Sequence, residues 1–179
     1  MLDLRIHNAI IFAADMHRKQ LRKGTNIPYI VHPMEVMQIL TENNCSTDVI
    51  VAGILHDVLE DTSTTQEQVS EMFGEHVLSL VKSETQSSVG SWKDRRYAAI
   101  LKIKDDSKEA QMVCCADKLS NIKSIYADML KIGEKVFERF NAPKEDVKWY
   151  YQSMANALNK IDDYKMKQEY IEFVRLVFS

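Results

Sequence analysis

Apolar residues recur at every third or fourth position along most of the chain, which is the period of an amphipathic α-helix. At the N-terminus the repeat through Leu2, Ile6 and Ile10 predicts a helix that reaches about Leu21. Later helices follow from the same repeat: one opened by Pro33, one capped by Thr47 that runs through Val58, one long or two abutting helices from Lys108 to Leu130, one opened by Pro143 and one ending near Phe178.

Turn-forming residues are scarce, with five Gly and three Pro in 179 residues. A β-sandwich or β-barrel needs more turns than these residues supply. Thr64 with Glu67 and Ser91 with Asp94 have the spacing of capping boxes, and Gly74 is placed to end a helix. Disorder is predicted for two short segments, 85–90 and 104–107. We expect one compact all-α domain that spans residues 1–179.

Composition narrows the class of protein. Hydrophobic residues make up 45% and charged residues 27%, which is typical of a globular domain. The net charge of −3 argues against general nucleic-acid binding, and the lack of a long apolar run argues against a membrane span. Three cysteines cannot form a disulfide framework, so we expect a protein of the reducing cytoplasm.

The string from His56 to Asp61 concentrates ionisable groups at the end of an apolar run. On a helix, His56 and Glu60 share one face, and Asp57 and Asp61 lie beside them. Carboxylates at the edge of a buried helix need a cation or strong hydrogen bonds, and a divalent metal meets that need. A solvated acidic helix end is the alternative, but acidic residues oppose the dipole at a helix C-terminus.

Two weaker signals add to this string. His32 is held in extended backbone before Pro33, and Asp117 ends another apolar run and could equally form a surface pair with Lys118. Two histidines and two aspartates make a nitrogen and oxygen ligand set that suits Mn, Fe or Zn better than Ca. The neighbouring cysteines sit on a mainly apolar helix and are interpreted as core residues, Cys114 and Cys115.

Basic residues form two local clusters in this acidic chain. The first, residues 18–23, could bind phosphate or could be a solvated helix end whose cations complement the dipole. The second, residues 91–96, is typical of the solvated start of an amphipathic helix. Any anionic ligand must be bound by such a local cluster, since the overall charge does not attract it.

Four ordered motifs resemble a known family. They are His17-x-x-Gln20-x-Arg22-Lys23, Pro28-Tyr29-x-x-His32-Pro33, His56-Asp57-x-x-Glu60-Asp61 and Ala116-Asp117-Lys118-Leu119-x-Asn121. Their order resembles that of the HD-domain phosphohydrolase superfamily, and in particular the hydrolase domain of RelA/SpoT-type proteins and the single-domain small alarmone hydrolases. The resemblance covers roughly residues 5–160 of the chain.

The resemblance implies a compact helical fold around a central site with one Mn²⁺ ion. It implies hydrolysis of the 3′-diphosphate of guanosine tetra- or pentaphosphate, a small-molecule nucleotide. By matching position, it assigns the metal ligands to His32, His56, Asp57 and Asp117. It assigns proton transfer to Glu60 and Asp61, and substrate contacts to Arg22, Lys23 and Asn121. It also implies that residues 91–96 lie near the phosphates of the substrate, as an alternative to a solvated helix start.

Two alternatives remain at this point. The first is a phosphohydrolase of the same superfamily that acts on another nucleotide such as NADPH, since the loop Gly24–Ile27 departs from the usual alarmone-hydrolase pattern. The second is a non-catalytic module that senses a nucleotide or a metal. The intact pair Glu60 and Asp61 favours an enzyme, because a sensor does not need acid–base groups.

Overall fold

The computed structural model describes residues 3–85 and 90–179. The helices are α1 (Leu4–Met16), α2 (Val31–Glu42), α3 (Thr47–Leu55), α4 (Val58–Asp61), α5 (Gln66–Phe73), α6 (Glu75–Glu84), α7 (Trp92–Asp105), α8 (Lys108–Ile132), α9 (Lys144–Ala157) and α10 (Lys165–Phe178), with a 3₁₀ segment at Gly133–Arg139. The described residues contain no strand, and one isolated bridge joins Leu21 to Pro28. The expected all-α fold is confirmed.

Helix α8 lies at the centre of the molecule. Every residue from Ala110 to Ser120 is buried, and the helix packs against α2, α3, α6 and α10. Cys114 and Cys115 are part of this core, as the sequence predicted. Residues Lys108 to Ile132 form one continuous helix, so the alternative of two abutting helices is excluded. A buried central helix places any polar residue on it, such as Asp117, inside the protein.

The first helix ends earlier than its apolar repeat predicts. Helix α1 stops at Met16 and is capped by His17, while Leu21 belongs to a turn that follows. The turn closes through a hydrogen bond from the Arg22 amide to the Ile27 carbonyl, of 2.9 Å. The long predicted helix was therefore wrong at its C-terminus, and Arg22 is carried on a loop instead.

Side-chain capping also shifts helix starts by a residue or two. Helix α2 begins at Val31, so Pro33 is its third residue and not its first. His32 therefore lies in the first turn of this helix and not in the extended backbone that the sequence predicted. Ser46, and not Thr47, caps α3 by accepting from the Val49 amide. Thr65 with Gln68, and not Thr64 with Glu67, forms the capping box of α5. Each neighbouring pair offers two possible caps, and spacing alone does not choose between them.

Other predicted boundaries are confirmed. Ser91 and Asp94 form a reciprocal capping box on α7, and Gly74 ends α5 with a φ of 95°. The segment 104–107 is not disordered, because it contains the end of α7 and the Ser107 cap of α8. Of the other segment predicted to be disordered, residues 86–89 lie outside the described residues.

The predicted helix through Val58 is interrupted. Helix α3 ends at Leu55, and α4 starts at Val58, with His56 and Asp57 between them. Asp57 has φ −101° and ψ −2°, so the chain turns at this point. Because of this interruption, His56 and Glu60 do not share one face of a continuous helix, as the sequence analysis assumed. The turn also lets the side chains of His56 and Asp57 reach the same point.

Helices α2 and α3 pack in close contact. Gly53 lies on α3 against α2, and a Cβ at this position would overlap Cδ1 of Leu40. A larger residue here would require the Leu40 side chain to move. None of the described helices combines the length and apolar character that crossing a bilayer requires.

Candidate metal centre

Two imidazoles meet in the space between α2 and α8. His32 and His56 are each about 1% exposed, and their Nε2 atoms are 3.2 Å apart. The rings are nearly perpendicular, with an interplanar angle of 76°. The two histidines are 24 positions apart in the sequence. His32 lies on α2 and His56 directly follows α3, and these two helices pack closely at Gly53.

The Nδ1 atoms of both rings are held by the protein. Nδ1 of His56 donates to the carbonyl of Gly53 over 2.7 Å, since a carbonyl only accepts. Nδ1 of His32 lies 2.8 Å from the Ser120 hydroxyl, which itself donates to Oε2 of Glu35 over 2.7 Å. Ser120 therefore accepts the proton of His32. In the neutral form, both Nε2 atoms then point lone pairs at each other, an arrangement that a shared cation stabilises.

Two carboxylates complete the arrangement, which we call the His–Asp cluster: His32, His56, Asp57 and Asp117. Oδ2 of Asp57 lies 2.9 Å from Nε2 of His56, and Oδ1 of Asp117 lies 3.0 Å from Nε2 of His32. His32, His56 and Asp57 satisfy the geometry of a potential metal site. Two imidazole nitrogens and carboxylate oxygens are the ligand chemistry of Mn, Fe and Zn.

The electrostatic environment of the His–Asp cluster favours a bound cation. Burial lowers the pKa of His56, but the carboxylates of Asp57 and Asp117 outweigh burial and raise it to about 10. Burial raises the pKa of Asp57, but His56 outweighs this effect and holds it below its ordinary value. For His32, burial prevails and lowers the pKa despite Asp117. These shifts keep the carboxylates charged, so the residues present fit a bound divalent cation.

Three further side chains fix the two carboxylates. The Tyr29 hydroxyl donates to Oδ2 of Asp57, and the Lys118 ammonium pairs with Oδ2 of Asp117. Asn121 donates to Oδ1 of Asp117 over 2.5 Å. Asp117 and Lys118 are both buried, so their pairing is not the surface pair that the sequence allowed. These contacts hold the two carboxylates in one orientation, and the oxygens that Tyr29 and Asn121 contact are the same ones that face the histidines.

Asn121 also connects the cluster to the predicted substrate contacts. Arg22 donates to Oδ1 of Asn121 over 2.8 Å, while the amide nitrogen of Asn121 faces Asp117. Arginine only donates and a carboxylate only accepts, so the orientation of the amide is determined. The Arg22 guanidinium also lies over the ring of Tyr29, 5.7 Å from its centroid. Arg22 thus stands one side chain away from the His–Asp cluster.

Glu60 and Asp61 are exposed at the end of α4. Oδ2 of Asp61 accepts a hydrogen bond of 2.8 Å from the side-chain amide of Gln20. Oε1 of Gln20 accepts in turn from Nδ1 of His17 over 2.7 Å. His17 is buried and stacks on Tyr29 with ring centroids 4.9 Å apart. The exposed carboxylate is therefore held by a buried scaffold.

A basic cleft of about 390 Å³ opens beside Asn121. We call it the basic cleft; its cationic lining residues are Arg22, Lys23, Arg95, Arg96 and Arg139. Trp92 and Tyr151 supply aromatic surface. Arg18 and Lys19 instead line a separate depression with Asp61, so the basic run 18–23 is divided between two places. Part of the 91–96 segment does reach the cleft, which favours its functional interpretation.

Several of these residues were not predicted to act in the site. Tyr29, Gln20 and Lys118 stood inside the quoted motifs, and that placement was the available signal. Glu35 and Ser120 are 85 positions apart and carried no such signal for their interaction. Their role follows only from the packing of α2 on α8.

Comparisons with known proteins identify the fold. The HD-domain profile matches residues 9–135. The chain belongs to the HD-domain family. This confirms the resemblance seen in the motifs, and the His–Asp cluster lies within the matched residues. A crystal structure of a Listeria monocytogenes protein of this fold is 31% identical, covers 82% of this chain and 98% of its own, and has a TM-score of 0.76.

Relatives within the HD-domain family carry related names. An Aquifex aeolicus protein named guanosine-3′,5′-bis(diphosphate) 3′-pyrophosphohydrolase is 31% identical over 93% of this chain. The mouse protein of that name, MESH1, is 38% identical over 64% of this chain. The chain spans 24% and 65% of the length of these two relatives.

A solved structure extends the comparison over nearly the whole chain. It is described as a metazoan ortholog of SpoT that hydrolyses ppGpp. The two chains are 25% identical with a TM-score of 0.80, and the match covers 98% of this chain and 96% of the other.

Proposed function

We propose that this protein is a Mn²⁺-dependent hydrolase that removes pyrophosphate from the 3′ position of guanosine tetra- or pentaphosphate. One juxtaposition supports this function: the His–Asp cluster lies beside a basic cleft, and Asn121 bonds to both Asp117 and Arg22. A metal site next to cationic and aromatic side chains suits an anionic nucleotide. The names of the Aquifex and mouse relatives supply the substrate class.

The assignment of Mn²⁺ rests on ligand type. His32 and His56 offer nitrogen through Nε2, and Asp57 and Asp117 offer carboxylate oxygen. This mixture is harder than a cysteine site and softer than an all-oxygen site, so it suits Mn better than Ca. When bound, a divalent cation supplies a nucleophile near neutral pH and offsets negative charge on phosphate.

The remaining chemistry belongs to side chains of the protein. Hydrolysis forms a bond from water oxygen to the 3′ phosphorus and breaks the bond from that phosphorus to the ribose O3′. One proton leaves the water, and one proton must reach O3′. We assign these transfers to Glu60 and Asp61, because both are exposed carboxylates that follow Asp57 within about one helical turn of the chain, and Asp61 is held in place by Gln20.

Binding is assigned to the basic cleft. Arg22 is held by Asn121 and lies over Tyr29, so its guanidinium is positioned before substrate arrives. Lys23 is exposed at the rim and can follow a phosphate group as a point charge. The side-chain amide of Asn121 already bonds to Asp117 and to Arg22. We therefore expect Asn121 to contact the nucleoside with the part of its side chain that faces the basic cleft.

A substrate panel tests this function. Protein stripped of metal is supplied with Mn²⁺ and incubated with guanosine tetraphosphate, NADPH and nucleoside triphosphates. We expect pyrophosphate release from guanosine tetraphosphate, with no release by Asp57→Ala. Asp163→Ala removes an exposed aspartate outside the cluster and is the matched control.

The other outcomes separate the alternatives. Turnover of NADPH alone would keep the metal mechanism and overturn the substrate. Retained Mn²⁺ without turnover of any compound would favour a sensing module. We also propose that the protein functions in the reducing cytoplasm. The three free cysteines Cys45, Cys114 and Cys115 support this location.

A further inference from the structure

A second cavity lies between helices α6, α7, α8 and α9. Its volume is about 140 Å³, close to that of an engineered apolar cavity of about 150 Å³ that binds benzene. The walls are mainly apolar and include Ala98, Ala99, Ile103, Cys114 and Met154. This cavity is distinct from the basic cleft, since Arg95 is the only residue that lines both.

Two polar atoms of residues that line the cavity lack partners. Oε1 of Glu84 and the hydroxyl oxygen of Tyr150 are buried without a hydrogen bond. Tyr150 is 4% exposed, so its hydroxyl has no access to bulk water. Buried polar atoms in proteins are nearly always paired, and two unpaired atoms lining one cavity indicate that something else completes them.

We propose that this cavity binds a small uncharged molecule that carries a primary amide on a short apolar body and has about as many non-hydrogen atoms as benzene. The amide N–H group would donate to Oε1 of Glu84, and the amide carbonyl would accept from the Tyr150 hydroxyl. Both unpaired atoms would then be satisfied by a single group. The apolar walls would contact the rest of the ligand.

The surrounding charges disfavour ions. The Lys118 ammonium is already paired with Asp117, and Lys102 donates to the carbonyls of Lys82 and Ser83 over 3.0 and 2.7 Å. With Arg95 also in the lining, a cationic ligand would meet three positive groups. An anionic ligand would meet the Glu84 carboxylate. A neutral amide avoids both forms of repulsion.

The inference does not depend on the proposed hydrolysis. It uses only the cavity and its unpaired atoms, and none of its residues belongs to the His–Asp cluster. Lys118 contacts the cavity and also pairs with a predicted metal ligand, Asp117, so the ligand would sit directly behind the cluster.

Titration of the full chain with isobutyramide, followed by heteronuclear NMR in the presence of Mg²⁺, tests the proposal. We expect saturable binding, with the largest shifts in α7 and at the end of α6. Isobutyrate has the same size but lacks the N–H donors and carries a negative charge, so it should bind at least about tenfold more weakly.

Three variants locate the site. Tyr150→Phe removes the unpaired hydroxyl and keeps the ring, so isobutyramide should bind about tenfold more weakly. Ala99→Leu fills the cavity and should abolish binding. Tyr151→Phe removes the hydroxyl of the next tyrosine, which does not line this cavity, and should leave the affinity for isobutyramide unchanged. Absence of saturable binding, equal binding of isobutyrate, or equal weakening by both tyrosine variants would each overturn the proposal.

Discussion

Gln20 donates its side-chain amide to Oδ2 of Asp61 over 2.8 Å, and this hydrogen bond joins a loop after α1 to the end of α4. The direction of the bond is determined by His17, whose Nδ1 occupies Oε1 of Gln20. The amide nitrogen must therefore face Asp61. A buried imidazole thus controls the orientation of an exposed carboxylate that we assign to proton transfer.

Replacing Gln20 by leucine should reduce turnover more than it weakens substrate binding. A hydrogen bond to a charged group contributes about 1.5–3 kcal/mol, so Gln20→Leu should lower kcat by about 10- to 100-fold with little change in KM. Gln38 donates to Glu42 over the same 2.8 Å at an exposed site on α2, so Gln38→Leu is the matched control. Equal activity of the two variants would remove Gln20 from the mechanism.

Glu60→Gln should separate metal binding from turnover. The change keeps the size of the side chain and removes its ability to accept and donate the transferred proton. Loss of a general acid–base group costs about 10²- to 10⁴-fold in rate, while Mn²⁺ affinity should stay unchanged. Calorimetric Mn²⁺ titration and pyrophosphate release measure the two effects. Full activity of Glu60→Gln would show that the acid–base assignment is wrong. Glu172→Gln makes the same change at an exposed site on α10 and is the control.

Ser120→Ala should weaken metal binding although Ser120 is not a predicted ligand. Its hydroxyl accepts from His32 and donates to Glu35, so its loss frees the His32 ring to rotate or to change tautomer. Loss of such a supporting contact costs about 10- to 100-fold in metal affinity. Ser79→Ala removes a hydroxyl that bonds only to the His76 carbonyl and should not change affinity.

Metal should stabilise the folded protein. A cation that binds only the folded state at 100 times its Kd adds about 2.7 kcal/mol, which raises Tm by about 5–10 °C in a chain of this size. Thermal unfolding with Mn²⁺ and with a chelator measures the difference. Asp57→Ala removes a ligand and should abolish the rise. A rise of equal size in that variant would place the ion elsewhere.

Glu84 should make stability depend on pH. Burial raises the pKa of Glu84 from 4.5 to about 7, although Lys118 acts in the opposite direction. Between these two values the folded protein binds more protons than the unfolded chain, so stability falls as pH rises and the full cost is present above pH 7. The cost reaches at most about 3 kcal/mol.

Glu84→Gln removes this cost because the amide does not ionise. The variant should unfold at a higher temperature than the wild type at pH 8, and the difference should shrink toward pH 5. Unfolding is measured with a chelator present so that the metal site does not contribute. Glu71→Gln makes the same chemical change at an exposed position on α5. A difference that does not vary with pH would contradict the assignment.

The helices could be predicted from the sequence, but several of their ends could not. Apolar periodicity reports which face of a helix is buried, and that signal is strong for α10, whereas α8 is buried on every side from Ala110 to Ser120. Helix ends depend on which hydroxyl reaches a free amide. Ser46 and not Thr47 is the N-cap of α3, because its hydroxyl accepts a hydrogen bond from the Val49 amide. Local backbone geometry, and not residue type, determines which of the two residues caps the helix.

The candidate ligands could be predicted because their motifs are local. His56 and Asp57 are adjacent, and His32 and Asp117 stand in their own short strings. The groups that orient them come from distant parts of the chain, and no local spacing predicts that Glu35 on α2 will reach Ser120 on α8. Likewise, the turn between α3 and α4 was missed because the apolar run continues across it to Val58.

Gly53 shows how a residue without functional groups can set the geometry of a reactive site. Its missing side chain lets α3 approach α2, and its carbonyl holds the His56 ring. A methyl group there would meet Cδ1 of Leu40 and Cγ1 of Val36, so the Leu40 side chain would have to move to keep α2 and α3 together. The candidate centre is thus constrained by apolar side chains that are not ligands, because Leu40 and Val36 pack on the residue whose carbonyl orients the His56 ring.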